Sequence, residues 1–156
     1  MDTINTIIGI VFLLLILVPI YIINNNVKKR KNQLLSTLNE LSNDKNTKFS
    51  ETDFWSNNSG IGLKGNMLAY FRKGEDAQVN EVIDLKEVKK CSLVQLDKHG
   101  NVPKNSHEIN KLALHLTLNN HKEISLVFFH VDALNFIIGE EFRIAKKWQE
   151  IISSTI

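Results

Sequence analysis

The chain of 156 residues has one cysteine, two prolines and no charged side chain between Thr3 and Val27. A single thiol forms no internal disulfide, so no cystine framework supports the fold, and a lone Cys91 fits a reducing cytoplasm. Paired metal-ligand spacing is also lacking: His99, His107, His115, His121 and His130 are scattered, and His107-Glu108 is not followed by a second histidine at the required position. Gly60-Ile-Gly-Leu-Lys-Gly65 precedes an alternating, strand-like pattern, whereas a phosphate loop needs a helix N-terminus after it. Asp84 and Glu87 are the nearest thing to a carboxylate pair, and nothing around them in sequence suggests a cleft. The sequence therefore predicts no catalytic residue, no cofactor site and no metal site.

The uncharged stretch is the strongest positive signal. Ile4 to Ile23 spans about 30 Å as a helix, the thickness of a hydrocarbon core. Between Ile7 and Ile23 only Gly9, Pro19 and Tyr21 are not Ile, Leu, Val or Phe. The residues before it carry an acid, Asp2, and no base, and no small-x-small site follows it, which excludes a cleaved signal peptide and predicts a retained anchor over residues 1–26. Lys28, Lys29, Arg30 and Lys31 abut its C-terminal end as membrane-interface residues. By the positive-inside rule they place the N-terminus outside and the remainder in the cytoplasm, on the inner face of a single-pass cell membrane protein.

The net charge of +2 is unevenly spread. Residues 24–48 hold six bases against two acids, whereas residues 49–156 hold thirteen against fourteen. A domain with net charge −1 is no nucleic-acid binder. Within residues 27–48, Leu34, Leu38 and Leu41 recur at helical spacing, predicting an amphipathic juxtamembrane helix to about Leu41 and then a polar linker. That stripe can pair with a second copy as a homodimer, lie on the membrane, or pack on its own domain.

Residues 49–156 change period. Ile61 and Leu63 alternate with polar or small residues, Gly65-Asn66 turns, and Met67 to Phe71 follows as a second strand. Further strands are predicted around Glu81 to Leu85, Lys89 to Leu96, Lys111 to Leu118 and Glu123 to Phe129, with Asp97 to Asn110 as a long loop. Ile138, Phe142, Ala145, Trp148 and Ile152 form one stripe of a closing helix that begins near Glu140. The expected fold class is α+β: a transmembrane helix, then a small antiparallel β-barrel or sandwich of six strands closed by a C-terminal helix.

Strands throughout followed by one helix with Trp148 on its buried side, the stretch Ser59-Gly-Ile-Gly-Leu-Lys-Gly-Asn-Met-Leu-Ala-Tyr70, and Val82-Ile-Asp-Leu-Lys-Glu-Val88 resemble the PH-like (pleckstrin-homology superfold) domains of small bacterial proteins, some of them membrane-anchored. The resemblance implies a lipid or peptide docking module over about Phe54 to Ser153. The basic cluster of lipid-binding members would correspond here to Lys64, Arg72 and Lys73, with Glu75 and Asp76 immediately after them. The function expected is a non-enzymatic, membrane-tethered module that binds a protein partner beside the bilayer. The alternative is an assembly subunit of a larger membrane complex that makes its contacts through the anchor and the leucine stripe.

Overall fold

The computed structural model describes residues 17, 29, 32–41, 48–56, 58–74, 78–131 and 138–156. The chain divides into two compact units, 1–37 and 38–156. In the first, Leu17 and Lys29 are helical and exposed, and a helix, α1, covers residues 32–41 and runs on into the second unit. No helix among the described residues is long and apolar enough to cross a membrane. The predicted span, Leu17 apart, lies outside the described residues, as do Lys28, Arg30 and Lys31.

Among the described residues the second unit has seven strands: β1 (Glu51–Trp55), β2 (Ser59–Lys64), β3 (Met67–Lys73), β4 (Gln78–Asp84), β5 (Val88–Leu96), β6 (Lys111–Leu118) and β7 (Glu123–His130). Helix α2 (Glu140–Thr155) follows. They form a four-stranded sheet ordered β1-β2-β3-β4 and a three-stranded sheet ordered β5-β6-β7, antiparallel throughout. The α+β class holds, and of the two expected forms the closed barrel is excluded: the sheets are separate. A short 3-10 turn, Leu85–Glu87, carries the chain from one to the other, with Asp84 accepting the Lys86 N–H at 3.0 Å as its N-cap. That contact is what Asp84 does.

β1 is the strand that the sequence pattern missed. Glu51-Thr-Asp-Phe-Trp55 has two acids and no alternation, yet its inward positions are all used. Trp55 enters the core, and the Asp53 carboxylate accepts from Trp148 Nε1 at 2.9 Å and Lys147 Nζ at 2.8 Å. This fastens β1 to α2, with Ser56 Oγ donating to Glu141 at 2.8 Å beyond the strand end. Residues of both sheets and α2 share one core that includes Ile61, Tyr70, Leu114, Phe128, Ile144 and Trp148. Helix α2 starts at Glu140 as predicted, and Ala145, Trp148 and Ile152 are buried. Phe142 is 37% exposed, a correction to the predicted stripe. Ile144 is buried in the helix as well.

Two hydrogen bonds hold the sheets in register across the core. β7 carries a bulge, because Leu112 faces Phe129 while Ala113 faces Val127, leaving Phe128 unpaired. The carbonyls of Val127 and Phe128 accept from Tyr70 Oη at 2.7 Å and Trp55 Nε1 at 2.8 Å. Trp55 also stacks on Phe128, with centroids 4.6 Å apart. Both large aromatics thus bury their apolar bodies without stranding a polar atom.

Candidate functional site

The three bases named as a ligand site are not all brought together. Lys64 closes β2 opposite Met67, while Arg72 and Lys73 lie at the far end of β3, opposite Ser59 and Asn58. Five residues of strand separate position 67 from position 72, which is about 16 Å at ~3.3 Å per residue. Lys64 is moreover buried, its Nζ 5.7 Å from the centre of the Phe49 ring. A cationic pocket for a phosphorylated headgroup needs convergent bases, and this hairpin holds its own apart.

Cys91 faces the core from β5 and is half-buried. Burial pushes its thiol up to about 11, although Lys89 and Lys90 are its neighbours in the chain. Tyr70 is likewise driven upward by burial, with its hydroxyl committed to Val127. Neither is a nucleophile at neutral pH.

His99 and His107 do come together with acids, at a groove of about 440 Å³ lined also by Asp97, Lys98, Glu108, Ile109, Asn110 and Val131. Both carboxylates are already at work holding loops. Asp97 accepts the backbone N–H groups of His99 and Asn101 at 2.8 Å each, and the Asn101 N–H chiefly holds its carboxyl below the usual range. Glu108 accepts from Lys104 N and Asn105 Nδ2 at 3.0 and 3.2 Å. Among the described residues no group of three or more His, Cys, Asp or Glu is placed to hold a metal ion.

The leucine stripe is split. Leu38 is fully buried, and a Cβ added at Gly62 would meet its Cδ1 at 3.3 Å and the Phe49 ring at 2.7 Å. Leu38 therefore packs on β2, so a homodimer through Leu34, Leu38 and Leu41 would have to displace it. Leu38 is the first residue of the second compact unit.

The sheet edges offer main chain for recognition. Among the described residues, two sheets of four and three strands leave β1, β4, β5 and β7 with one unpaired side each. The sequence carries almost no signal for this, because edge status depends on sheet order, which no local pattern encodes. Compared with known proteins, the chain matches no family model, no curated protein and no solved structure.

Proposed function

We propose that the protein is a single-pass, membrane-tethered docking module of PH-like build, non-enzymatic, whose folded unit binds a segment of a protein partner at the inner face of the cell membrane. The observation that carries this reading is the element order: strands 1–4 in one sheet, 5–7 in a second, then one helix with Trp148 fully buried on the shared core. The tether is supported by the charge-free run before Val27 and the Lys28-Lys29-Arg30-Lys31 cluster after it. Tethering raises the effective concentration for partners on the same membrane, so modest affinity suffices. The separation of Lys64 from Arg72 and Lys73 favours a protein ligand over a lipid headgroup.

The test is photo-cross-linking in native membranes, with the reactive residue placed either in residues 49–156 or in residues 1–48. A discrete adduct from the folded unit that survives replacement of residues 4–23 by an unrelated apolar span is the expected result. Adducts formed only from residues 1–48, and lost on that replacement, would instead establish the assembly-subunit reading. A cytoplasm-dependent reporter fused after Ile156 checks the orientation: it should be active, and a silent one would reverse the topology.

A further inference from the structure

Natural sheets guard their edges, since a row of unpaired N–H and C=O groups invites another strand. Three of the four edges here are guarded in visible ways. At β1, Asp53 is tied to Lys147 and Trp148 of α2. At β7, the bulged carbonyls of Val127 and Phe128 are taken by Tyr70 and Trp55. At β5, exposed Lys89 and Lys90 lie at a register shift, and α2 packs alongside.

β4 has none of these devices. Gln78-Val-Asn-Glu-Val-Ile-Asp84 contains no lysine and no proline, and its register with β3 is unbroken from Lys73↔Gln78 to Met67↔Asp84. Val79 and Val82 are 43% and 40% exposed on it, which is unusual cover for an open edge. No strand among the described residues pairs with its far side.

The register also says which backbone groups face outward. The Leu85 N–H donates to the Asn66 carbonyl at 2.8 Å, and bonded pairs recur every second residue along an antiparallel ladder. Ile83, Glu81 and Val79 therefore spend their main-chain groups on β3, while those of Val82, Asn80 and Gln78 point away from it.

Charge selects the occupant. The strand's own charges are Glu81 and Asp84, with the nearest bases at its two ends: Arg72 and Lys73 opposite Val79 and Gln78, and Lys86 in the following turn. A second copy pairing about its centre would set Glu81 against Glu81, and like charges directly opposite are destabilising. We propose that the free edge of β4 is a strand-addition site for an extended, Lys- or Arg-bearing segment of a protein partner, which pairs with the outward backbone of Gln78, Asn80 and Val82 and sets a base beside Glu81. This rests on the docking reading above and names its site and the chemistry of its ligand. Main-chain bonds supply affinity in such a mode and alternate side chains supply selection.

The experiment uses the full chain in lipid nanodiscs and a fluorescein-labelled heptapeptide alternating Val or Thr with Lys, beside the same peptide with Glu for Lys. Fluorescence anisotropy should show the Lys peptide binding at least about tenfold more tightly than the Glu peptide. Val82→Pro removes an outward N–H that β3 does not use, so it should weaken binding about tenfold or more with an unchanged melting profile. Glu81→Lys leaves the backbone intact and should invert the preference between the peptides. Binding of the Lys peptide that neither variant alters would overturn the β4 site. Self-association of the wild type that Val82→Pro abolishes would overturn the basic-segment proposal in favour of a second copy. If neither peptide binds yet the folded unit still cross-links in membranes, the β4 proposal falls and the docking reading stands; if the cross-links are absent too, both fall.

Discussion

The outer faces of the two sheets are built on opposite plans. In the three-stranded sheet, the cross-strand row Ser92, His115, Ser125 is polar and reaches solvent, as expected of an antiparallel sheet with one face on the core. In the four-stranded sheet, the corresponding kind of row is Phe54, Gly60, Phe71, and the next is Thr52, Gly62, Ala69. Every residue of β2 is buried, and Ala69 and Phe71 on β3 are 1% and 3% exposed. The outer face of the four-stranded sheet is covered along β2 and β3 and opens at β4, where Asn80 and Val82 are exposed; in the outer rows of the three-stranded sheet only Ala113 is buried.

The second cover is made by dents rather than bulk. A Cβ at Gly60 would stand 2.6 Å from ring atoms of both Phe54 and Phe71, so the two rings close over the glycine from neighbouring strands. At Gly62 the space is filled by Phe49 and Leu38. The inner face of the same sheet has Trp55, Ile61, Leu63, Leu68, Tyr70 and Ile83 instead. Truncation should therefore damage the inner core and enlargement the outer cover, and this asymmetry can be tested.

The largest effect is expected at Trp148. Trp148→Ala opens a cavity where α2 meets the core and removes one of the two donors to the Asp53 carboxylate, and should cost about 3–5 kcal/mol in denaturant unfolding. Near-native stability would mean that α2 does not close this core. On the outer face, Gly62→Val should cost about 1–3 kcal/mol by overpacking, although it only adds apolar volume. If that variant is neutral, Phe49 and Leu38 are free to move aside and the cover is not a packed layer.

Much of this architecture was legible in the sequence, and the parts that were not share a cause. The Lys111 to Leu118 alternation, the Gly65-Asn66 turn and the start of α2 at Glu140 depend on neighbours in the chain, and the structure places each as expected. Gly65, at φ 59°, occupies the left-handed conformation that its turn requires. β1 escaped because Asp53 is spent on a helix about 95 residues away, where alternation says nothing. Which of its three options the leucine stripe would take was not legible, because the seat of Leu38 is made by Gly62 and Phe49, both strand-side features remote from the helix. The proposed site was illegible for the same reason: Gln78 to Asp84 shows its acids and valines in sequence, but that this strand is an edge follows from the order of the sheet. His99 and His107 did meet at one groove, though neighbouring Asp97 and Glu108 serve turns there.

Smaller effects sharpen the contrast within the core. Tyr70→Phe keeps the ring and removes the hydroxyl that satisfies the Val127 carbonyl, so it should cost about 1 kcal/mol. A pH series adds an independent check on burial. The folded-state pKa of Cys91 is raised above its ordinary 9.0 to about 11, so its stabilising contribution is complete below pH 9 and is lost as pH rises from there towards 11. Tyr70 and Lys147 are raised too, Tyr70 by burial and Lys147 mainly by its bond to Asp53, and they extend the loss to higher pH. Cys91→Ala should flatten the first part of that decline. An identical alkaline profile in the variant would mean that the thiol is not shielded. Alkylation at neutral pH should correspondingly run about a hundredfold slower than for an unshifted thiol, since thiolate falls tenfold per pK unit.

The smallest effect belongs to the conventional outer face, and it decides whether the two faces differ as described. His115 stands between Ser92 and Ser125, half-exposed, on the side of β6 opposite buried Leu114 and Leu116. Removing its ring uncovers no cavity, so His115→Ala should change stability by no more than about 0.5 kcal/mol, as surface substitutions usually do. Leu114→Ala, one residue away on the same strand, should cost about 2–5 kcal/mol. A ratio near one between the two in matched unfolding curves would mean that β6 is packed on both faces, like β2. The polar row would then be a covered surface too, and the contrast between the sheets would dissolve.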